Sequence, residues 1–247
     1  MKYYDVHCHA DMFSKHELAN VLSDRSLVGL ASNSTGYESC LENLRLGAKH
    51  QKIKACLGIH PEHPENYKDL EKVVELIKKN ENKVAGIGEI GIPCFLENLE
   101  DFYDESLEVF RELVKIAHAF NKPVTVHASY EAAGKAVAIL EEYNISKAVF
   151  HWFNGDEKDL VRIQKNNYHV SVGPDILYNT EYADFVRKID VKHIFFESDS
   201  PWEYDKVRSM PLVIPEVIVY TSSVKSVSID RLSFEAMENS IKFFSMQ

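Results

Sequence analysis

Two histidines and an aspartate stand at alternate positions near the start of the chain, within residues 5–9. Residues 3–8 are typical of a short apolar strand, and every second side chain of a strand points to the same face. Asp5, His7 and His9 therefore share one face, where the two imidazoles are close enough to bind one ion. Imidazole is a ligand for zinc, copper, nickel or iron. The cysteine between the histidines points the other way and is expected in the core.

Two histidines do not complete a metal site, and further ligands follow along the chain. Each stands at or just past the end of a later apolar run: Glu89, His127, His151 and Asp199. Together the six side chains could hold two divalent ions, with a carboxylate bridging between them. Such a pair of ions stabilises the attacking and leaving oxygens of a displacement and lowers the pKa of a bridging water. The pattern predicts a hydrolase acting on phosphoesters, amides or lactones.

The elements that must position these residues alternate regularly along the chain. Short apolar runs predict eight strands, at 3–8, 27–31, 53–59, 84–90, 123–128, 147–152, 169–172 and 193–197. Helical patterns fall between and after them, at 14–23, 36–51, 66–79, 99–120, 131–143, 156–165, 180–188, 211–222 and 230–244. This alternation implies parallel strand pairing, and eight such units are typical of a (β/α)₈ barrel.

A barrel also explains why the polar residues converge, because catalytic residues sit at the carboxyl ends of its strands, around one mouth. The rival fold is a doubly wound open sheet, which usually begins with a glycine-rich turn after its first strand. Here that position holds His-Cys-His. We therefore predict an α/β protein, a single (β/α)₈ TIM barrel domain of the metal-dependent hydrolase type over residues 1–247.

Composition sets limits on the class of protein. With 247 residues and 45% hydrophobic content the chain can bury a large core. It has no run of about 18 apolar residues, so no membrane span is expected, and its first residues predict no signal peptide. The four cysteines are scattered without a CxxC pair. This spacing argues against a zinc ribbon or a disulfide framework and predicts a cytoplasmic protein.

The net charge of −10 bears on the substrate. Proteins that bind nucleic acid more often carry a basic stripe. Bound divalent cations could reverse the sign of the charge locally, because metal ions are often the largest charges in a site. The charge therefore argues against tight nonspecific binding of nucleic acid and is compatible with a nuclease.

Six short motifs, taken together and in order, resemble those of the TatD family, the metal-dependent deoxyribonucleases among the amidohydrolase-like barrels. They are Asp-Val-His-Cys-His at 5–9, Gly-Ile-His-Pro at 58–61, Gly-Glu-Ile-Gly at 88–91, Val-His at 126–127, His-Trp-Phe-Asn-Gly at 151–155 and Ser-Asp-Ser-Pro at 198–201. The resemblance covers residues 5 to about 202.

The resemblance implies two divalent metal ions, which in this family are zinc, manganese or magnesium. One ion would bind His7, His9, Glu89 and Asp199, and a second would bind Glu89, His127 and His151. Asp199 would also act as the base that orients the nucleophilic water, and Glu89 would take the bridging place that a carbamylated lysine holds in other amidohydrolase-like enzymes. The many histidines favour zinc or manganese, because magnesium prefers oxygen ligands.

Two positions depart from the family pattern. Pro93 stands where the family usually has an aspartate, and Ser129 stands where it usually has an arginine. An arginine fork matches phosphate oxygens, so its absence bears on the substrate. Three other cations could replace it: Lys135, Lys158 and Arg208.

Three functions remain open at this point. The first is hydrolysis of phosphodiester bonds at DNA ends or in single strands. The second is hydrolysis of a small phosphoester, cyclic amide or lactone with the same metals. The third is a metal-holding barrel without catalytic activity that binds a partner.

Several residues near the strand ends could contact the substrate. His60 could touch a phosphate or support a ligand, and it could equally pack beside the proline that follows it. Trp152 could stack on a base or sugar, as could Phe153, although aromatic residues after a strand often pack in the core. Tyr130, next to the departing Ser129, could line the substrate pocket.

Overall fold

Eight parallel strands, paired in the order β1 to β8, form the sheet of the barrel, as the sequence predicts. The computed structural model describes residues 1–245, so residues 246 and 247 of the predicted domain lie outside the described part. The strands are β1 (Tyr3–Cys8), β2 (Leu27–Asn33), β3 (Ile53–Leu57), β4 (Gly86–Gly91), β5 (Val124–His127), β6 (Ala148–Phe150), β7 (His169–Val172) and β8 (Ile194–Phe196). The predicted strand over 147–152 is shorter than expected, because the chain turns as soon as it passes residue 150.

Helices fill the connections between the strands. They are α1 (Lys15–Ser23), α2 (Tyr37–Lys49), α3 (Leu70–Lys79), α4 (Leu99–Ala119), α5 (Glu131–Glu142), α6 (Glu157–Lys165), α7 (Thr180–Val186), α8 (Ile214–Lys225) and α9 (Ile229–Phe243). Ser14 caps α1 in a capping box with Glu17, which satisfies amide groups that the first turn leaves free. The predicted helix over 66–79 is α-helical only from Leu70, after a 3₁₀ turn over Pro64–Asp69.

The strands are buried because helices cover one face of the sheet and side chains fill the other. Every residue of β1 and β4 is buried. Cys8 belongs to the main hydrophobic core, as predicted. A second cluster joins the two ends of the chain, where the ring of Phe244 stacks on Tyr4 at 5.8 Å between centroids. The last residues described therefore pack against the first strand.

The barrel closes between β8 and β1 through the loop that follows β8. Within residues 1–245 no strand pairing joins β8 to β1. Instead the Asp199 amide donates to the His7 carbonyl at 2.9 Å, and the His9 amide donates to the Ser200 carbonyl at 2.7 Å. The Asp5 carboxylate accepts bonds from the Ser198 amide at 3.1 Å and from its hydroxyl at 2.6 Å. These bonds place Asp199 beside the histidines of β1.

A short antiparallel hairpin, β9 (Glu203–Tyr204) with β10 (Val207–Arg208), follows this loop. Asp205 and Lys206 form its turn, both with positive φ. Turns of this geometry usually contain Asn-Gly or Asp-Gly, so Asp-Lys gave no sequence signal for the hairpin.

No single helix in the described part of the chain is long and apolar enough to cross a membrane. The segment Pro211–Lys225, which contains α8, and helix α9 meet the length and composition criteria only as a pair bent by 118°.

Candidate active site

Glu89, near the end of β4, stands at the centre of the site and is completely buried. Its Oε2 lies 3.2 Å from His7 Nε2 and 3.5 Å from His9 Nε2, both at the end of β1. Asp199 Oδ1 lies 3.5 Å and 3.8 Å from the same two nitrogens. The four side chains predicted to bind the first ion are thus gathered around one point.

The other carboxylate oxygen of Glu89 faces a separate group of imidazoles. Its Oε1 lies 2.8 Å from His127 Nδ1 and 3.0 Å from His151 Nε2, the side chains predicted for the second ion. His60 Nε2 approaches the same oxygen at 3.2 Å. The two oxygens of Glu89 therefore point to two histidine groups, the geometry that a bridging carboxylate needs.

Unpaired buried atoms test whether these residues fit a metal ion. His7 Nε2 and Glu89 Oε2 are buried, and neither has a hydrogen-bond partner. Buried polar atoms without partners are costly and rare in folded proteins. Here they lie 3.2 Å apart, with His9 Nε2 and Asp199 Oδ1 within 3.5 Å of one or the other. This donor set fits a divalent ion such as zinc or manganese.

Burial and neighbouring charges shift the pKa values of these groups in different directions. Burial acts to raise the pKa of Glu89, but the nearby imidazoles, His60 first among them, outweigh it and hold this pKa well below its ordinary value. Burial lowers the pKa of His60 to about 4 and also lowers that of His7. Glu89 is therefore an anion and His60 is neutral at pH 7. By contrast, the neighbouring carboxylates outweigh burial and raise the pKa values of His127 and His151, so a metal ion binding there would release their protons.

Two glycines allow β4 to bring Glu89 this close to its neighbours. A Cβ atom on Gly91 would lie 1.8 Å from the His127 carbonyl oxygen, and one on Gly88 would lie 2.6 Å from Asn33 Oδ1. The amide of Ile92 donates to that same His127 carbonyl at 2.9 Å. The close approach of β4 to β5 thus places Glu89 against His127.

Three residues predicted for the site have left-handed backbone conformations, which are uncommon outside glycine. They are Tyr130 at φ 50°, Trp152 at φ 42° and Asp199 at φ 49°. The amide of Trp152 donates to Glu197 Oε1 at 2.9 Å, and that of Tyr130 donates to the Asn154 carbonyl at 3.1 Å. Such strained residues persist where surrounding bonds fix them, often at active sites.

Three aromatic side chains lie beside the histidines, and we call them the aromatic surface: Phe95, Tyr130 and Trp152. The ring of Phe95 lies 5.9 Å from Trp152, 6.2 Å from Tyr130 and 6.1 Å from His127. Phe95 and Tyr130 are each 50% exposed, so their rings can meet a ligand. Phe153, which the sequence also offered for stacking, is buried in the core.

Two acidic residues of the site were missed in the sequence: Glu62 and Glu197. Glu62 Oε1 lies 3.2 Å from His127 Nε2. Glu197 Oε2 lies 3.7 Å from His151 Nδ1 and accepts a bond from the Ser171 hydroxyl at 2.6 Å. The position of Glu197 at a strand end was a signal that sequence reasoning could have used.

The structure also shows the surroundings of Ser129, which stands where the family usually has an arginine, and of Arg208. Ser129 is buried, and its amide donates to Cys94 Sγ at 3.3 Å. Arg208, one of the cations that could replace the missing arginine, pairs with Glu17 at 3.2 Å. Glu203 and Asp205, both in the hairpin after β8, are exposed.

Comparison with known proteins agrees with a metal-dependent hydrolase site. A family description, "TatD related DNase", matches residues 4–245. An "uncharacterized metal-dependent hydrolase" of Haemophilus influenzae is 24% identical, over 98% of this chain and 99% of that protein. The human "Deoxyribonuclease TATDN3" is 26% identical, over 97% of this chain and 93% of its own length.

A solved structure shows the same fold. The crystal structure of YjjV, a TatD homologue from Escherichia coli, superposes with a TM-score of 0.88 at 23% identity, covering 98% of this chain and 97% of that one. Fold and site together define a barrel of the metal-dependent hydrolase class. Within that class the chain belongs to the TatD family.

Proposed function

We propose that this protein hydrolyses phosphodiester bonds of DNA, at ends or in single strands, with two divalent metal ions. The observation that carries the proposal is the position of Glu89, whose two oxygens face His7 and His9 on one side and His127 and His151 on the other. Two ions bound there would supply a nucleophilic water at neutral pH and neutralise charge on the reacting oxygens.

The chain's own residues would perform the remaining tasks. Asp199 Oδ1 lies near the first ligand group while its Oδ2 accepts a bond from the Tyr204 hydroxyl at 3.0 Å. This bond holds the carboxylate with Oδ1 toward the first ligand group, where Asp199 would orient a water and take its proton, as a general base must. His60, 14% exposed at its side chain, reaches both the ligand group and solvent. Its partial exposure supports a contact with a phosphate oxygen of the substrate.

The aromatic surface supports DNA as the substrate. Base stacking on aromatic side chains is worth about 1–3 kcal/mol per base and needs no particular sequence. Phe95 and Tyr130 offer half-exposed rings next to His127, so a base could stack there while its phosphate lies at the ions. The name of the human relative, a deoxyribonuclease, supports the same substrate.

A small phosphoester, cyclic amide or lactone is the alternative substrate class. It is favoured by Ser129 and Pro93, which remove a phosphate-binding arginine and an aspartate, and by the net charge of −10.

Metal content and hydrolysis measured on the same preparations test the proposal. Wild type should carry about two divalent ions per chain and degrade single-stranded DNA. Glu89→Ala should lose the ions, and Asp199→Ala should lose activity. A protein that binds no divalent ion would contradict the proposal at its root.

The aromatic surface supplies the second arm of this test. Phe95→Ala should raise the KM for single-stranded DNA by about tenfold, the equivalent of one stacked base. It should leave the KM for a dialkyl phosphodiester, which has no aromatic ring to stack, within about twofold. Phe234→Ala is the matched control, since Phe234 on α9 is 61% exposed and absent from the site. Cleavage of the small ester alone would assign the alternative substrate class.

Two further expectations from the sequence stay predictions. One is that residues 1–247 form a single domain. The other is a cytoplasmic location, for which the support is that all four cysteines are free thiols.

A further inference from the structure

The two ring nitrogens of His127 face two different carboxylates. Nδ1 lies 2.8 Å from Glu89 Oε1, and Nε2 lies 3.2 Å from Glu62 Oε1 on the other side of the ring. A histidine that binds a metal through one nitrogen almost always donates the proton of the other to a carboxylate, carbonyl or water. Glu62 occupies the place of that acceptor.

We propose that Glu62 is a positioning residue for the second metal ion. It accepts the Nε2–H of His127, so that Nδ1 carries the lone pair directed at Glu89 and at the ion. The inference rests on the proposed function in that it assumes a second ion at Glu89, His127 and His151.

The surroundings of Glu62 hold its carboxylate in place. Oε1 accepts bonds from the amide of Cys94 at 2.5 Å and from the amide of Phe95 at 3.1 Å. The side chain is only 14% exposed. A carboxylate fixed by two amides cannot swing away, so the direction of the His127 ring is fixed with it.

The same contacts connect Glu62 to the segment where this chain departs from its family. Cys94 follows Pro93 directly, and its sulfur accepts the amide of Ser129 at 3.3 Å. Pro93 is therefore the sequence neighbour of Cys94, and Ser129 is its hydrogen-bond partner. Glu62 holds Cys94 in turn by accepting its amide. The Glu62 carboxylate joins this altered loop to a metal ligand.

A purely structural role, holding the loop by its amides, is the competing explanation. Glu62→Gln separates the two, because the glutamine carbonyl can still accept both amides and the His127 proton but carries no negative charge to strengthen His127 as a ligand. Glu65→Gln is the matched control, since exposed Glu65 lies in the same segment and, within residues 1–245, forms an ion pair only with His63, at 3.1 Å.

The experiment is calorimetric titration of metal-stripped full-length protein with Zn²⁺ alone. In Glu62→Gln we expect the affinity of the second ion to fall about tenfold, the lower end of the usual effect of changing such a partner, because the charge is lost and the acceptor stays, with the first ion unchanged. Glu65→Gln should titrate like wild type. Equal affinities for both ions in Glu62→Gln and wild type would overturn the inference, and a wild type that binds no ion would instead refute the proposed function.

Nitrogen-15 NMR of the histidine rings in wild type provides a reading that needs no variant. We expect the zinc-loaded protein to carry the His127 proton on Nε2. A proton on Nδ1 would overturn the proposal, whatever the stability of Glu62→Gln.

Discussion

Replacing Glu89 by glutamine is the sharpest test of the site, because it changes charge and leaves shape almost intact. The buried carboxylate lies within 3.2 Å of three imidazole nitrogens through Oε1 and of His7 Nε2 through Oε2. An amide nitrogen has no lone pair for a metal. Whichever way the glutamine turns, one of the two histidine groups faces NH₂ in place of an anionic oxygen.

The size of the effect follows from burial. In the metal-free protein Glu89 balances the charge on His151, whose pKa is raised well above its ordinary value because this carboxylate and Glu197 outweigh the effect of burial. Removing one partner of a buried pair costs about 3–5 kcal/mol. Deprotonation of His151 relieves part of that cost, so we expect a loss of about 3 kcal/mol, or roughly 6–12 °C in Tm for a chain of this size.

The metal-linked effect is separate and larger. An ion at 1,000 times its Kd stabilises a protein by about 4 kcal/mol, roughly 8–16 °C here. Thermal unfolding with EDTA and with excess Zn²⁺ or Mn²⁺ measures this difference. Wild type should show it in full and Glu89→Gln should lose most of it, whereas Glu75→Gln on α3, at an exposed pair with Lys79, should behave like wild type.

One result would refute the reasoning. If Glu89→Gln keeps the metal-dependent rise in Tm and the ion content of wild type, then Glu89 does not bridge two ions.

Three further changes extend the test. Gly91→Ala should lower the free energy of unfolding in urea by about 3 kcal/mol or more, because its Cβ would meet the His127 carbonyl at 1.8 Å; an unchanged midpoint would contradict this close approach. Tyr204→Phe should lower kcat about tenfold without changing the metal content, because Asp199 loses the 3.0 Å hydrogen bond from the Tyr204 hydroxyl. An unchanged kcat would show that this bond does not contribute to catalysis. Burial lowers the pKa of His169 to about 4, so the unfolded chain binds the extra proton and stability falls as pH drops from about 6.5 to 4. With EDTA present, His169→Phe should therefore lose up to about 3 kcal/mol less free energy of unfolding than wild type over this pH range. If the free energies of unfolding of the two proteins fall in parallel with pH, the prediction is wrong.

The barrel and its ligands could be predicted from sequence because their signals are local. Alternating side chains in β1 put His7 and His9 on one face, and each later ligand stands where an apolar run ends. The parallel order of the strands then brings these ends together. The predicted ligand set is gathered in the structure for this reason, although binding itself stays a prediction.

What the sequence did not reveal depends on contacts between distant loops. In the sequence Glu62 looks like an ordinary solvated acid. Its partners are amides of the loop over 92–95, and Cys94, which donates one of them, is 32 residues further along the chain. Phe95 likewise joins Tyr130 and Trp152 only in three dimensions. No periodicity or spacing rule reports such contacts, because they follow from where loops end in space.

At the join between β8 and β1 a bound metal ion would have a mechanical role. His7 and His9 lie on one side of it and Asp199 on the other. Within the described residues the two sides are connected by loop hydrogen bonds and by the hydrophobic cluster at the chain's ends, without strand pairing. An ion bound by all three side chains would link the end of β1 to the loop that follows β8. Bound metal should therefore slow hydrogen exchange at the amides of His9 and Asp199, because opening the barrel there requires releasing the ion first.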